Sequence, residues 1–285
     1  MADIIDGRAI AKQVRAELKE RIAKLAAQDL VPGLAVILVG DDPASATYVR
    51  LKGNDARRLN ISEVTHKMPP ATEADDLEEL IDSLNADNSI HAILLQTPIP
   101  KHLDEQAMLA RIDPMKDVDC LNPANQGLLY QGNPRFIPCT PYGVQQLLVR
   151  TGVELAGKHV VIVGRSMLVG RPLSILLSLK GDGSNATVTL CHTGTKNLEH
   201  HTKQADVLVA AAGSPNMIGA DHVCDGVVVI DVGTTASAEG KLVGDVDFEA
   251  VSKKASAITP VPGGVGPMTR TMLMNNTVLA AESRL

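Results

Sequence analysis

The chain has no tryptophan, two phenylalanines and three tyrosines, so aromatics make up 2% of its 285 residues. Its core must therefore be built from Val, Leu, Ile and Ala, and base-stacking nucleic-acid platforms are argued against. It also lacks a surplus of positive charge. With 27 Lys and Arg against 33 Asp and Glu, the net charge is −6. Binding a phosphate backbone needs clustered cations, so no nucleic-acid partner is expected. No apolar run reaches the roughly 18–20 residues that cross a bilayer, and no membrane association is expected. The opening Met-Ala-Asp-Ile-Ile-Asp carries no signal-peptide pattern. Cysteine is scarce: Cys120, Cys139, Cys191 and Cys224 are far apart, with no CxxC pair and no HExxH. That pattern predicts reduced, mostly buried thiols in a cytoplasmic protein and no metal site.

What the sequence does have is alternation. Ile10, Val14, Leu18, Ile22 and Leu25 recur at helical spacing and predict an amphipathic helix over 7–28. A continuous apolar run at 34–40 reads as a buried parallel strand. A helix over 43–59, a strand at 61–67, a helix at 73–86 and a strand at 90–96 follow. Residues 97–140 are richer in Pro, Asn and Gly and predict less regular structure. Thr140-Pro141 starts a linking helix through about 150. A second alternating unit begins at Lys158, with strands at 159–164, 186–191, 206–211 and 226–232 and a helix over 170–180. A last helix starts after Gly266-Pro267, and Met272, Leu273, Val278 and Leu279 are its packing residues. The fold class is α/β: an N-terminal α/β substrate domain (1–140, with 267–285 packing back on it), then a Rossmann-type dinucleotide-binding domain (141–266), with a cleft between them.

Gly164-Arg-Ser-Met-Leu-Val-Gly170 joins a strand to a helix. Backbone N–H groups at a helix start can hold a pyrophosphate, and glycines let the backbone come close. The spacing is not GxGxxG: Ser166 replaces the second Gly and Gly170 comes one residue late. Taken alone it reads equally as an ordinary turn. A serine hydrolase with Ser166 as nucleophile is a rival, but the nucleophile elbow needs GxSxG, and Leu168 stands where its second Gly would be. The next strand leads into Cys191-His-Thr-Gly-Thr195 without the acid that NAD enzymes commonly use for the ribose, and Arg165 can pair with a 2′-phosphate, which favours NADP.

The ordered set of motifs resembles the bifunctional methylenetetrahydrofolate dehydrogenase/cyclohydrolase family. It comprises Asp42-Pro-Ala-Ser-Ala-Thr-Tyr48-Val-Arg-Leu-Lys52, Gln96-Thr-Pro-Ile-Pro100, Lys116-Asp-Val-Asp119, Pro138-Cys-Thr-Pro-Tyr-Gly143, Gly164-Arg-Ser-x-x-Val-Gly-Arg-Pro172, Gly244-Asp-Val246 and Pro260-Val-Pro-Gly-Gly-Val-Gly-Pro-Met-Thr269. The chain departs from the family pattern at several places. The family has Leu at Thr97, Gly-Phe-His at Cys120-Leu121-Asn122, Ser-Arg-Thr at Thr193-Gly194-Thr195, and Ile-Asn at Thr234-Thr235. These changes touch the expected folate and 2′-phosphate pockets.

The resemblance implies NADP-dependent oxidation of a folate-bound methylene carbon, hydrolysis of the methenyl product, and a homodimer. Hydride transfer needs mainly alignment, because N5 and N10 stabilise the developing cation. Hydrolysis needs a proton-handling group, a role the resemblance gives to Lys52. Tyr48 lies four residues earlier, on the same helical face, and can stack on the folate ring. Gln96 can orient Lys52, and Asp119 can accept hydrogen bonds from the pterin. Pro262 and Gly263 are implied as a pocket wall, and Gly164, Arg165, Ser166, Val169, Gly170, Thr193 and Thr234 as cofactor-binding residues. The ordinary alternatives are a solvated Lys52, a packing Tyr48 and backbone-capping Gln96 and Asp119. Two rival functions are a dehydrogenase of this architecture with another substrate and a non-catalytic folate- or nucleotide-binding module.

Overall fold

The computed structural model describes residues 2–236 and 240–285. The first half of the chain forms β1 (Asp3–Ile4), α1 (Gly7–Ala26), β2 (Gly33–Val39), α2 (Pro43–Arg58), β3 (Ser62–Met68), α3 (Ala74–Ala86), β4 (Ala92–Gln96), α4 (Glu105–Arg111), α5 (Pro123–Tyr130) and α6 (Cys139–Arg150). The second half forms β5 (His159–Val163), α7 (Gly170–Ser178), β6 (Thr187–Cys191), α8 (Leu198–Thr202), β7 (Val207–Ala210), β8 (Val228–Asp231), β9 (Thr235–Ala236), β10 (Leu242–Val243), α9 (Phe248–Val251), β11 (Ala257–Ile258) and α10 (Val265–Glu282). Among the described residues no helix is long and apolar enough to cross a membrane.

Two compact units result. One comprises residues 13–139 and 270–285, the other residues 1–12 and 140–269. The first unit holds a parallel sheet in the order β3-β2-β4. All seven residues of β2 are buried, as its unbroken apolar run requires of a central strand. Helix α2 starts where Asp42 accepts a hydrogen bond from Ser45 N at 2.7 Å, with Pro43 in the first turn. The C-terminal part of α10 belongs to this unit. Its Asn276 Nδ2 donates to the carbonyls of Val118 and Ile137, and Arg21 on α1 pairs with Glu282. Met272, Leu273 and Val278 are buried, whereas Leu279 is exposed, so it is not one of the packing residues.

The second unit holds a six-stranded parallel sheet in the order β1-β11-β8-β7-β5-β6. From β5 the chain steps to β6 on one side and then to β7 and β8 on the other, the strand-order reversal at which such sheets bind ligands. Residues 1–12 join this unit rather than the first, correcting a substrate domain that begins at residue 1. Strand β1 pairs with β11, and Gly7 packs so tightly on Gly264 that a Cβ there would meet its carbonyl oxygen. Two helices, α4 and α5, also lie in the stretch expected to be less regular. Asp104 and Asn122 cap them from their side chains.

Candidate active site

In the first unit, α2, β4 and the loop before α5 bring three of the expected residues together. Lys52 is half-buried on α2, and its Nζ donates to Gln96 Oε1 at 2.9 Å. Gln96 sits at the end of β4, and its own Nε2 donates to the Thr97 carbonyl at 2.8 Å, which fixes which end of the amide faces the lysine. Asp119 is half-buried and close enough to favour the charged ammonium. Burial is the larger influence, and the net effect lowers the Lys52 pKa below the ordinary lysine value. Tyr48, one helical turn before Lys52, is 38% exposed and so not locked into a core.

The surroundings of Asp119 explain the departures at 120–122. Buried Asp117 accepts hydrogen bonds from Leu121 N, Asn122 N and Asn125 Nδ2 at 3.0, 2.9 and 2.8 Å. Burial pushes its carboxyl above the usual carboxylate range despite these donors. Cys120 has φ of 59°, the conformation that the family pattern meets with Gly, and its Sγ donates to the Phe136 carbonyl at 3.3 Å. Asn122 caps α5 while its Nδ2 donates to the Ala110 and Ile112 carbonyls. The side chains at 120, 121 and 122 are thus buried supports of the loop. Lys116 is buried too: its Nζ donates to the Leu84 and Asp87 carbonyls at the end of α3, a capping role. Sequence reasoning missed Cys139, whose buried thiol lies against Asp119. Burial raises its pKa, Asp119 adds to the rise, and Lys52 opposes it.

In the second unit, β5 runs into the 164–169 turn and then into α7. Gly164 has φ of 126° and packs on the Ala211 carbonyl, while Gly170 packs on the carbonyl of Gly164. Neither site has room for a Cβ. The spacing that looked one residue late therefore serves the close approach of helix to strand. Arg165 and Ser166 are exposed, and Val169 is half-buried. Ser166 Oγ accepts from Val169 N at 3.1 Å, the bond of a turn-capping serine, which argues against the nucleophile reading. Thr193 and Thr234 are exposed. Arg165 with this exposed turn at the start of a nine-residue helix fits a dinucleotide's phosphates. Among the described residues no group of three or more His, Cys, Asp or Glu is arranged to hold a metal.

Beside this turn the loops after β7 and β8 are tied by two buried carboxylates. Asp231 accepts from Gly233 N, Asp245 N and Val246 N. Asp245 Oδ2 accepts from Ala212 N and Gly213 N. Pro262 is exposed and Gly263 buried in the loop between β11 and α10, where Gly263 has φ of 125°. These two and the Lys52 group belong to different units.

Comparison with known proteins agrees with both halves of this description. Residues 5–119 match the model of the tetrahydrofolate dehydrogenase/cyclohydrolase catalytic domain, and residues 138–285 match that family's NAD(P)-binding domain. The chain is 51% identical to the bifunctional protein FolD of Geotalea daltonii over 284 residues, covering 100% of both chains. The crystal structure of the bifunctional methylenetetrahydrofolate dehydrogenase/cyclohydrolase from Campylobacter jejuni is 45% identical, with a TM-score of 0.97 and 100% of each chain covered. That of the Trypanosoma brucei enzyme, complexed with NADP cofactor and an inhibitor, is 39% identical with a TM-score of 0.93, covering 99% of this chain and 98% of that one. The chain therefore belongs to the tetrahydrofolate dehydrogenase/cyclohydrolase family.

Proposed function

We propose that the protein oxidises 5,10-methylenetetrahydrofolate with NADP and hydrolyses the 5,10-methenyl product to 10-formyltetrahydrofolate. The observation that carries this reading is the 2.9 Å Lys52–Gln96 hydrogen bond beside Asp119, in the unit that matches the family's catalytic domain. NADP, when bound, accepts a hydride. Gly164, Arg165, Ser166, Val169, Gly170, Thr193 and Thr234 would hold it. The exposed Arg165, the lack of an acid among residues 192–195 and the NADP complex of the Trypanosoma brucei relative support this choice over NAD.

The chain's own contribution to oxidation is orientation. Tyr48 offers a ring face to the folate, and Asp119 an acceptor for the pterin's N–H groups. Hydrolysis asks more. Lys52, with a lowered pKa, takes a proton from the attacking water and returns one as the carbon–nitrogen bond breaks. Gln96 holds its Nζ in place through both transfers. The four cysteines are all free thiols, which supports a reducing, cytoplasmic setting. We also infer a homodimer joined through the nucleotide-binding unit.

A spectrophotometric assay with methylenetetrahydrofolate, run side by side with NADP and NAD, tests this. NADPH formation followed by accumulation of the 10-formyl product is expected, with NAD the poorer acceptor. No reduced nucleotide with either cofactor at saturating folate would overturn the activity, and a preference for NAD would overturn the cofactor assignment.

A further inference from the structure

The parallel sheet of the first unit has two ends. Gln96 closes β4 at the carboxyl end, where such sheets usually hold their ligands. At the opposite end lies a cavity of about 800 Å³, a size that suits a small molecule. Asp29 and Val31 after α1, Ser62 at the start of β3, Asn88 and His91 before β4, and Arg284 beyond α10 line it.

His91 is 7% exposed, and the start of β2 fixes its ring. Its backbone N–H donates to the Gly33 carbonyl at 2.9 Å, and its Nδ1 accepts from Gly33 N at 3.0 Å. A Cβ on Gly33 would meet the Ser89 carbonyl oxygen, so the bend before β4 is pressed directly onto β2. Because Nδ1 is an acceptor, the ring carries its proton on Nε2. Among the described residues nothing accepts from Nε2, which is the open edge of a ring that lines the cavity. A donor held in place without an acceptor is ready for one from outside the protein.

The charges around the ring say which kind. Burial lowers the His91 pKa, and Arg284 and then Lys116 lower it further, against Asp87 and the Ser89 carbonyl. Lys116 is already engaged with the Leu84 and Asp87 carbonyls, and Asp87 Oδ1 with Ser89 N and Oγ. Arg284 differs: among the described residues its guanidinium pairs with no carboxylate, and the side chains of Ser62 and Asn88 have no hydrogen-bond partner. Asp29 is the one carboxylate among the lining residues, and it is exposed, where water screens it. A guanidinium offers paired N–H groups that match two oxygens of one acid group.

We propose that this cavity binds a small organic oxyanion, a carboxylate or a phosphate, whose oxygens accept from His91 Nε2 and the Arg284 guanidinium while exposed Val31 covers its apolar part. The charge comes from Arg284. The imidazole serves as a neutral donor, since a second proton on Nδ1 would break its bond with Gly33 N. The site is separate from the Lys52 group and does not depend on the role given to that lysine.

NMR of the histidine ring signals tests it, with the full chain titrated by phenyl phosphate and, separately, by 3-phenylpropionate. NADP is kept present so that the turn before α7 is occupied, and His91 is assigned through its own backbone N–H. Its ring signal is expected to shift saturably for at least one probe, with a Kd of about 1 mM or tighter. A response to phenyl phosphate alone assigns the site to phosphates, and a response to phenylpropionate alone assigns it to carboxylates. R284M removes an exposed side chain and should weaken binding about fivefold or more with an unchanged melting temperature. No shift at about 20 mM of either probe would overturn the proposal, as would a Kd that R284M leaves unaltered.

Discussion

Asp231 is 4% exposed, and burial pushes its carboxyl up to about 6 even though three backbone N–H groups point at it. The nearby Asp245 adds to the rise. Unfolded, the same group titrates near 3.8. The folded state therefore binds more protons than the unfolded one between about pH 4 and pH 6, and this group's contribution to stability falls as pH rises through that window. At neutral pH the cost amounts to about 3 kcal/mol. The melting-temperature advantage of wild type over D231N should shrink as pH rises from 4 to 6, although D231N is less stable throughout because the amide presents N–H toward a donor. Parallel curves would contradict the assignment. At this scale the sequence was partly legible. Lys52, Gln96 and Asp119 stood in motifs whose order marked them. His91 and Arg284 did not, because only the fold brings them to one cavity, and no local spacing announces it. Cys139 was quoted as part of a junction motif, and only folding puts its thiol against Asp119.

The turn from β5 into α7 shows what the elements add. Gly170 opens a helix that lies directly on the backbone of Gly164. A methyl group there must push α7 away from β5 and disturb the N–H groups at its start. We expect G170A to raise the KM for NADP by about tenfold or more, a loss of roughly 1.4 kcal/mol in transition-state binding, while hydrolysis of methenyltetrahydrofolate stays within about twofold of wild type. A parallel fall of both activities would show that the turn supports the whole fold rather than the cofactor. The long elements were readable because period and burial coincide: β2 is apolar throughout and wholly buried. The short ones were not. Helices α4 and α5 are set by capping side chains and by the hub at Asp117, signals that composition alone hides under Pro, Asn and Gly. The two-residue β1 owes its existence to pairing with β11, more than 250 positions away.

At the level of the whole molecule, the proposed function assigns the two reactions to separate parts of the chain. In the proposed mechanism hydrolysis depends on Lys52 and its partners in the first unit, and hydride acceptance on a nucleotide held by the second, in keeping with the catalytic and NAD(P)-binding family matches of the two halves. The order of motifs made this division readable, whereas the assignment of residues 1–12 to the second unit depends on sheet pairing and was missed. Strand β6 ends the six-stranded sheet, and the inferred homodimer through this unit should appear in light scattering as twice the chain mass. A monomeric mass at micromolar concentration would remove that inference. The division of labour itself is tested most directly by assaying both activities of K52M in one preparation. A positioned acid–base group contributes about 10²–10⁴-fold, so hydrolysis should fall by at least about a hundredfold while measurable NADPH formation survives. Equal loss of the two activities, or hydrolysis at the wild-type rate, would contradict the account.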